Sequence, residues 1–157
     1  MRRYESTVRG QFFGHSHYDE VEVAYDSQDP TRALGVAYLA PSLTTFNSGF
    51  PAFRIYTLDG GHPAATWALL DHETYLLNLT KANAEPDKPA SWELEYSARA
   101  AYNLTSLEPQ QWDAVIRKME HDDALFNAFY RYGRRRGTQS SQCGQTNRLG
   151  ATPAYFS

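Results

Sequence analysis

Residues 11–25 run Gln11-Phe12-Phe13-Gly14-His15-Ser16-His17-Tyr18-Asp19-Glu20-Val21-Glu22-Val23-Ala24-Tyr25. A short apolar segment ends at a glycine, a polar stretch follows, and Val21, Val23 and Tyr25 then alternate with Glu20, Glu22 and Ala24. That period of two predicts a half-buried strand. Asp26-Ser27-Gln28-Asp29-Pro30 supplies the turn that ends it. Leu34 to Ala40 is an uncharged run stopped by Pro41, suited to a buried strand. Phe53, Ile55 and Thr57 alternate with Arg54, Tyr56 and Leu58, and Asp59-Gly60-Gly61 carries hairpin chemistry. Trp67 to Leu70 and Tyr75 to Leu79 form the returning segment. The first half is therefore expected to be strands, mostly antiparallel.

The second half has a different texture. Glu85-Pro86-Asp87-Lys88-Pro89 marks a loop, and helices are expected from about 91 to 136. Trp92, Tyr96 and Arg99 to Ala101 show helical spacing behind Ser91, a candidate N-cap. A second helix opens near Pro109, with Trp112, Val115, Ile116 and Met119 as its apolar face. Leu125, Phe126, Phe129, Tyr130 and Tyr132 repeat at three and four and predict a third. Arg131, Arg134, Arg135 and Arg136 fall at its C-terminal end, where cations offset the macrodipole. They read as helix-end chemistry on a solvated face, in preference to an anion site, and Gly137 reads as the stop. Strands followed by helices predict an α+β chain. The expected units are strands over 1–80, a helical part over 84–137, and a mobile tail over 138–157.

Composition narrows the function. The chain has 157 residues, with 15 Lys plus Arg against 18 Asp plus Glu, for a net charge of −3. At 41% hydrophobic and 21% charged it is globular in character. A pI near 5.9 argues against a binder of nucleic-acid polymers. The uncharged run Leu34 to Phe53 is broken by Pro41, Ser42, Thr44, Thr45, Asn47 and Pro51, so no transmembrane segment is expected. Cys143 is the only cysteine, which excludes an internal disulfide and a cysteine zinc site. Asn78-Leu79-Thr80 and Asn103-Leu104-Thr105 are N-glycosylation sequons, which matter in a secretory chain. Met1-Arg2-Arg3 has no apolar stretch behind it, so no signal peptide is expected in this chain.

One constellation carries chemistry. His15 and His17 are two residues apart, and on extended backbone side chains at i and i+2 share a side and can face one cation. Gly14 lets the main chain turn tightly just before them. Neutral imidazole is the commonest ligand for zinc and similar borderline metals. The bland alternative is two polar side chains on a strand edge. His62, His72 and His121 stand alone in the sequence and read as structural or surface histidines.

The flanks add a resemblance. Residues Gln11 to Val23 closely resemble the last metal motif of the acid sphingomyelinase family, secreted or lysosomal members of the calcineurin-like metallophosphoesterases. The likeness continues through Leu39-Ala40-Pro41-Ser42-Leu43-Thr44-Thr45 and Leu70-Asp71-His72-Glu73-Thr74-Tyr75-Leu76-Leu77-Asn78-Leu79-Thr80. It extends more loosely to Trp112, Leu125-Phe126, Cys143-Gly144 and Arg148. The resemblance implies the last strands of a metallophosphoesterase β-sandwich followed by a helical C-terminal subdomain. It implies that His15 and His17 bind a two-zinc centre, one metal each, in an enzyme that hydrolyses sphingomyelin to ceramide and phosphocholine. Related members cleave nucleotide or other phosphodiesters instead. A peripheral membrane contact and a secreted or lysosomal location follow for such a parent.

The departures from the pattern are as informative. The family's other ligands lie in an Asp-x-His pair, a second Asp, a Gly-Asn-His-Glu segment and a further His, all upstream; this sequence has no Asp-x-His and no Asn-His. The second cysteine of the family's tail corresponds here to Asn147, which leaves Cys143 without that partner. The expectation is a C-terminal fragment of such an enzyme, inactive alone. A non-catalytic folding or interaction module is the competing reading, supported by Trp92, Trp112, Phe126 and Phe129. A reading frame upstream of Met1 containing the missing motifs separates the two.

Overall fold

The computed structural model describes residues 2–137. The predicted tail 138–157 and Cys143 lie outside the described residues. Among the described residues six strands form two three-stranded sheets, and four α-helices accompany them.

The first sheet has the order β1-β3-β2, from β1 (Gln11–Phe13), β2 (Glu20–Asp26) and β3 (Asp29–Leu39). β2 and β3 are an antiparallel hairpin, while the three residues of β1 run parallel to β3, with Gln11 opposite Ala37. The predicted alternation holds: Val21 and Val23 are buried between half-exposed neighbours. β3 is buried continuously from Ala33 to Tyr38, and Pro30 sits at its exposed end, where no ladder donor is needed.

The second sheet is antiparallel, β4 (Ala52–Leu58), β5 (Leu69–Leu77) and β6 (Trp92–Ser97) in that order. β6 corrects the helix expected from Ser91. Trp92, Leu94 and Tyr96 alternate with Glu93 and Glu95, a period of two, and the strand pairs Leu77 with Trp92 and Thr74 with Tyr96. A register shift between Thr74 and Tyr75 leaves Glu95 without a cross-strand partner. It turns Tyr96 into the core, while Trp92 and Leu94 stay exposed.

The helices follow local chemistry. α1 (Leu79–Ala84) is capped by Asn78, whose side chain accepts from the Lys81 amide at 3.1 Å. α2 (Ala98–Tyr102) is capped by Ser97, six residues after Ser91, and Asp71 of β5 accepts from Ser97 Oγ (2.7 Å) and the Arg99 amide (3.1 Å). Asn103 ends it in the left-handed conformation common after helices. α3 (Pro109–Met119) and α4 (Asp123–Gly133) match the predicted second and third helices. α4 stops at Gly133 rather than Gly137.

One apolar core runs through both sheets and the helices after residue 97. Tyr38 is its polar pivot: its hydroxyl donates to the Leu107 carbonyl (3.1 Å) and accepts from Trp112 Nε1 (3.1 Å). His72 lies beside it, fully buried, stacked on Trp112 at 6.3 Å and 8°. The ring meets Tyr38, Tyr56 and Tyr96 edge-on, and neither ring nitrogen has a hydrogen-bond partner. Its reading as a structural histidine holds.

A charged pair locks the layers together. Asp19, just before β2, and Arg54 of β4 form an ion pair with side chains 1% and 0% exposed. Tyr96 Oη of β6 and Thr74 Oγ1 of β5 donate to the same carboxylate at 2.6 and 2.8 Å. Arg54 also donates to Thr74 Oγ1 (3.3 Å), Tyr56 Oη (3.4 Å) and Tyr96 Oη (3.2 Å). The Asp19 amide donates to the Gly133 carbonyl of α4 at 3.1 Å. Burial alone lowers the pKa of a guanidinium, but the Asp19 carboxylate raises that of Arg54 above its ordinary value.

His72 gives the fold a pH dependence with a defined sign. Burial, with the nearby charge of Arg54, holds its pKa well below the ordinary 6.5. The unfolded chain takes up a proton below about pH 6.5 and the folded chain does not, so stability is complete above that pH and declines as pH falls toward the folded pKa. Urea unfolding between pH 7.5 and 5 is expected to show this loss, and His72→Phe to reduce its slope. An unchanged slope in the variant counts against the assignment.

A candidate metal-ligating turn

β1 ends at Phe13, whose carbonyl accepts from the Ala40 amide (2.8 Å) beyond the end of β3. The parallel pairing thus delivers Gly14-His15-Ser16-His17 to the end of the first sheet. The turn is tighter than the extended geometry expected from the sequence. His15 has φ 80° and His17 φ 64°, both left-handed, and the Ser16 amide bonds back to the Gly14 carbonyl at 3.1 Å. Gly14 has open space where a Cβ would stand and no positive φ, so the histidines carry the backbone strain instead. Each such residue costs on the order of 1–2 kcal/mol and persists only where its surroundings determine it.

Those surroundings are specific. Ser16 Oγ donates to Glu20 Oε2 (3.2 Å) and accepts from the Tyr18 amide (3.3 Å), which closes the turn on itself. Burial raises the pKa of Glu20, with the Ser16 bond opposing. Tyr18 lies under the guanidinium of Arg134, 4.2 Å from the ring centre. Asp19 then anchors the exit of the turn in the Arg54 network. Buried polar anchoring after the turn leaves its backbone little room to relax.

The two imidazoles are not equivalent. His15 is exposed. His17 is half-buried, its ring edge-on to Phe46 at 5.7 Å and 79°, and its Nδ1 is enclosed without a partner. A buried ring nitrogen with nothing to bond is a place where a ligand removes a desolvation cost. Two imidazoles are the right donors for zinc, but among the described residues no group of three or more His, Cys, Asp and Glu converges as a metal site. The described residues therefore do not by themselves fit a closed zinc centre, which takes four ligands.

The other histidines do not join the turn. His62 Nε2 pairs with Asp59 at 2.8 Å on the β4–β5 hairpin tip, His72 is in the core, and His121 is exposed after α3. Of the sequons, Asn103 is exposed, while the Oδ1 of Asn78 is engaged in capping α1.

In the arginine cluster the solvated-face reading holds for the exposed Arg131 and Arg136 and fails at Arg135. Arg135 is 2% exposed, not solvated. Arg136 pairs with Glu95 of β6 at 2.5 Å. Periodicity places these residues at a helix end but carries no information on the loop that closes over them. The roles of Asp19 and Phe46 were equally hidden, since both depend on partners more than 25 residues away.

The strain has a measurable consequence. At position 15, Gly is expected to be more stable than Ala by about 1 kcal/mol, because only Gly adopts a positive φ without cost. Urea unfolding of His15→Gly against His15→Ala checks this, and equal stability contradicts a left-handed His15.

The profile of the family described as "Acid sphingomyelin phosphodiesterase C-terminal region" matches residues 35–147. Sphingomyelin phosphodiesterases of Bos taurus and Homo sapiens are each 42% identical over 157 residues, covering 100% of this chain and 25% of theirs. A cyclic GMP-AMP phosphodiesterase of Mus musculus is 31% identical over 139 residues, 84% of this chain and 29% of that protein. The chain spans about a quarter of the length of the curated relatives it matches. The profile begins past the histidine turn, and the pairwise matches to the bovine and human proteins extend over it. With most of its length matched, the chain belongs to the acid sphingomyelinase family, in that family's C-terminal region.

Proposed function

We propose that this chain is the C-terminal part of a zinc-dependent phosphodiesterase that hydrolyses sphingomyelin to ceramide and phosphocholine, with His15 and His17 donating to its two-metal centre. The observation that carries the reading is the strained turn, with two imidazoles on left-handed backbone at a strand end, fixed by Asp19 on one side and β1 on the other. Backbone strain of this kind clusters at functional sites. The chain's own contribution is to orient two nitrogen donors. The remaining ligands come from elsewhere in a longer protein, so the chain alone is inactive.

The names of the 42% identical relatives favour sphingomyelin as substrate. A nucleotide phosphodiester is the second reading, supported by the 31% identical relative named for cyclic GMP-AMP. Peripheral contact with a lipid surface belongs to the first reading, because its substrate resides there. No described helix is long and apolar enough to cross a membrane. A secreted or lysosomal location, with glycans on Asn78 and Asn103, belongs to the same proposal. The exposed Asn103 is the more accessible acceptor.

The test is made in two proteins. The 157-residue chain is expected to bind zinc weakly and to hydrolyse neither sphingomyelin nor a simple phosphodiester above background. A longer protein carrying the upstream motifs is expected to be active, and His15→Ala or His17→Ala to lower its turnover about 100-fold or more, the most that losing an outer-sphere partner costs. Full turnover by the short chain with added zinc, or a long protein indifferent to both substitutions, contradicts the proposal.

A further inference from the structure

The turn after α4 reaches back across the molecule to the segment beside His17. Arg135 and Arg136 have φ values of 53° and 50°, and the Arg135 side chain is directed into the fold rather than into solvent. Its guanidinium makes hydrogen bonds to main-chain carbonyls of the 42–50 loop. Nη1 donates to Ser42 (2.8 Å), Thr44 (2.8 Å) and Phe50 (3.1 Å), and Nη2 to Phe46 (2.9 Å). The Phe50 amide in turn donates to the Arg135 carbonyl at 3.1 Å. The loop is wrapped around a cation.

The packing leaves no slack. A Cβ on Gly49 would stand 2.6 Å from Arg135 Nε, and one on Gly137 would stand 2.3 Å from the Ser48 carbonyl oxygen. The loop's large apolar side chains do not hold it down, since Leu43 and Phe46 are 63% and 65% exposed. Its one short helical turn, Phe46–Ser48, has no side-chain cap. The carbonyl bonds to Arg135 are therefore the main tie, and bonds to a charged donor are about twice as strong as neutral ones.

The same turn grips the other side of the histidines. Gly133 accepts from the Asp19 amide and Arg134 covers Tyr18, while the loop held by Arg135 sets Phe46 against the ring of His17. We propose that Arg135 is a positioning residue: by closing the 42–50 loop it fixes Phe46 and, through it, the orientation of the His17 imidazole. The consequence for metal binding rests on the proposed function. The positioning itself does not.

The experiment reads the His17 ring resonances by NMR in the full 157-residue chain without metal, with His62 and His121 as remote references. Phe46→Leu is expected to shift the His17 signals by removing the aromatic ring's magnetic effect. Arg135→Met is expected to shift them in the same direction by at least half as much, and to add nothing further in the Phe46→Leu background. Arg135→Lys, which keeps a cation but loses the planar fork, is expected to give an intermediate shift. Gly49→Ala displaces the loop without removing the charge, so it is expected to reproduce the Arg135→Met shift and serves if that variant does not fold. His17 signals unmoved in folded Arg135→Met or Gly49→Ala, or a shift equally large without Phe46, overturn the proposal. In the longer protein, zinc affinity that follows Arg135→Met but ignores His17→Ala would sink the metal reading while leaving the positioning intact.

Discussion

The carboxylate of Asp19 and the guanidinium of Arg54 sit together out of water, and nearly every element that matters to the histidine turn is tied to them. Asp19 belongs to the chain leaving the turn, Arg54 to β4, Thr74 to β5, Tyr96 to β6, and the Asp19 amide ends on α4. A buried ion pair is weak evidence for net stability, because desolvating both charges is expensive. It is strong evidence for a fixed arrangement, because each partner alone is intolerable in the core. Here the pair joins two sheets that share no backbone hydrogen-bond ladder, so their relative placement depends on side chains.

From that constraint the turn follows. One residue, Tyr18, separates His17 from Asp19, and on the other side β1 is pinned to β3 by parallel pairing. The intervening segment has a fixed span to cover, and it does so with His15 and His17 in left-handed conformations. The turn after α4 adds a second layer of restraint through Arg134 and the loop around Arg135. A turn restrained in this way has little backbone freedom left to lose.

Much of this fold is legible in the sequence, and the failures have physical causes. The β2–β3 and β4–β5 hairpins, α3 and α4 are written in periodicity and turn residues. β6 was obscured because Trp92 and Tyr96 satisfy both a four-residue spacing and a two-residue alternation, and only pairing with β5 decides between them. The Gly14-His15-Ser16-His17 segment stands out as a motif, but its backbone does not: the strain falls on the histidines because the anchors on either side are tertiary. The burial of Arg135 is hidden for the same reason, since a run of cations at a helix end looks solvated until a loop of carbonyls closes over one of them. His72 stands alone in the sequence, and its place in the core, enclosed by aromatic rings, is visible only in three dimensions.

The Asp19–Arg54 pair acts as a single unit that fixes the sheets and the turn. A double-mutant cycle on unfolding free energy addresses it directly, using Asp19→Asn, Arg54→Met and the combination. Each single change is predicted to cost about 3–5 kcal/mol by stranding its partner. The double change should cost clearly less than the sum, leaving a coupling of roughly 2 kcal/mol or more. Additive costs, or single losses within the range of ordinary surface substitutions, would contradict the account.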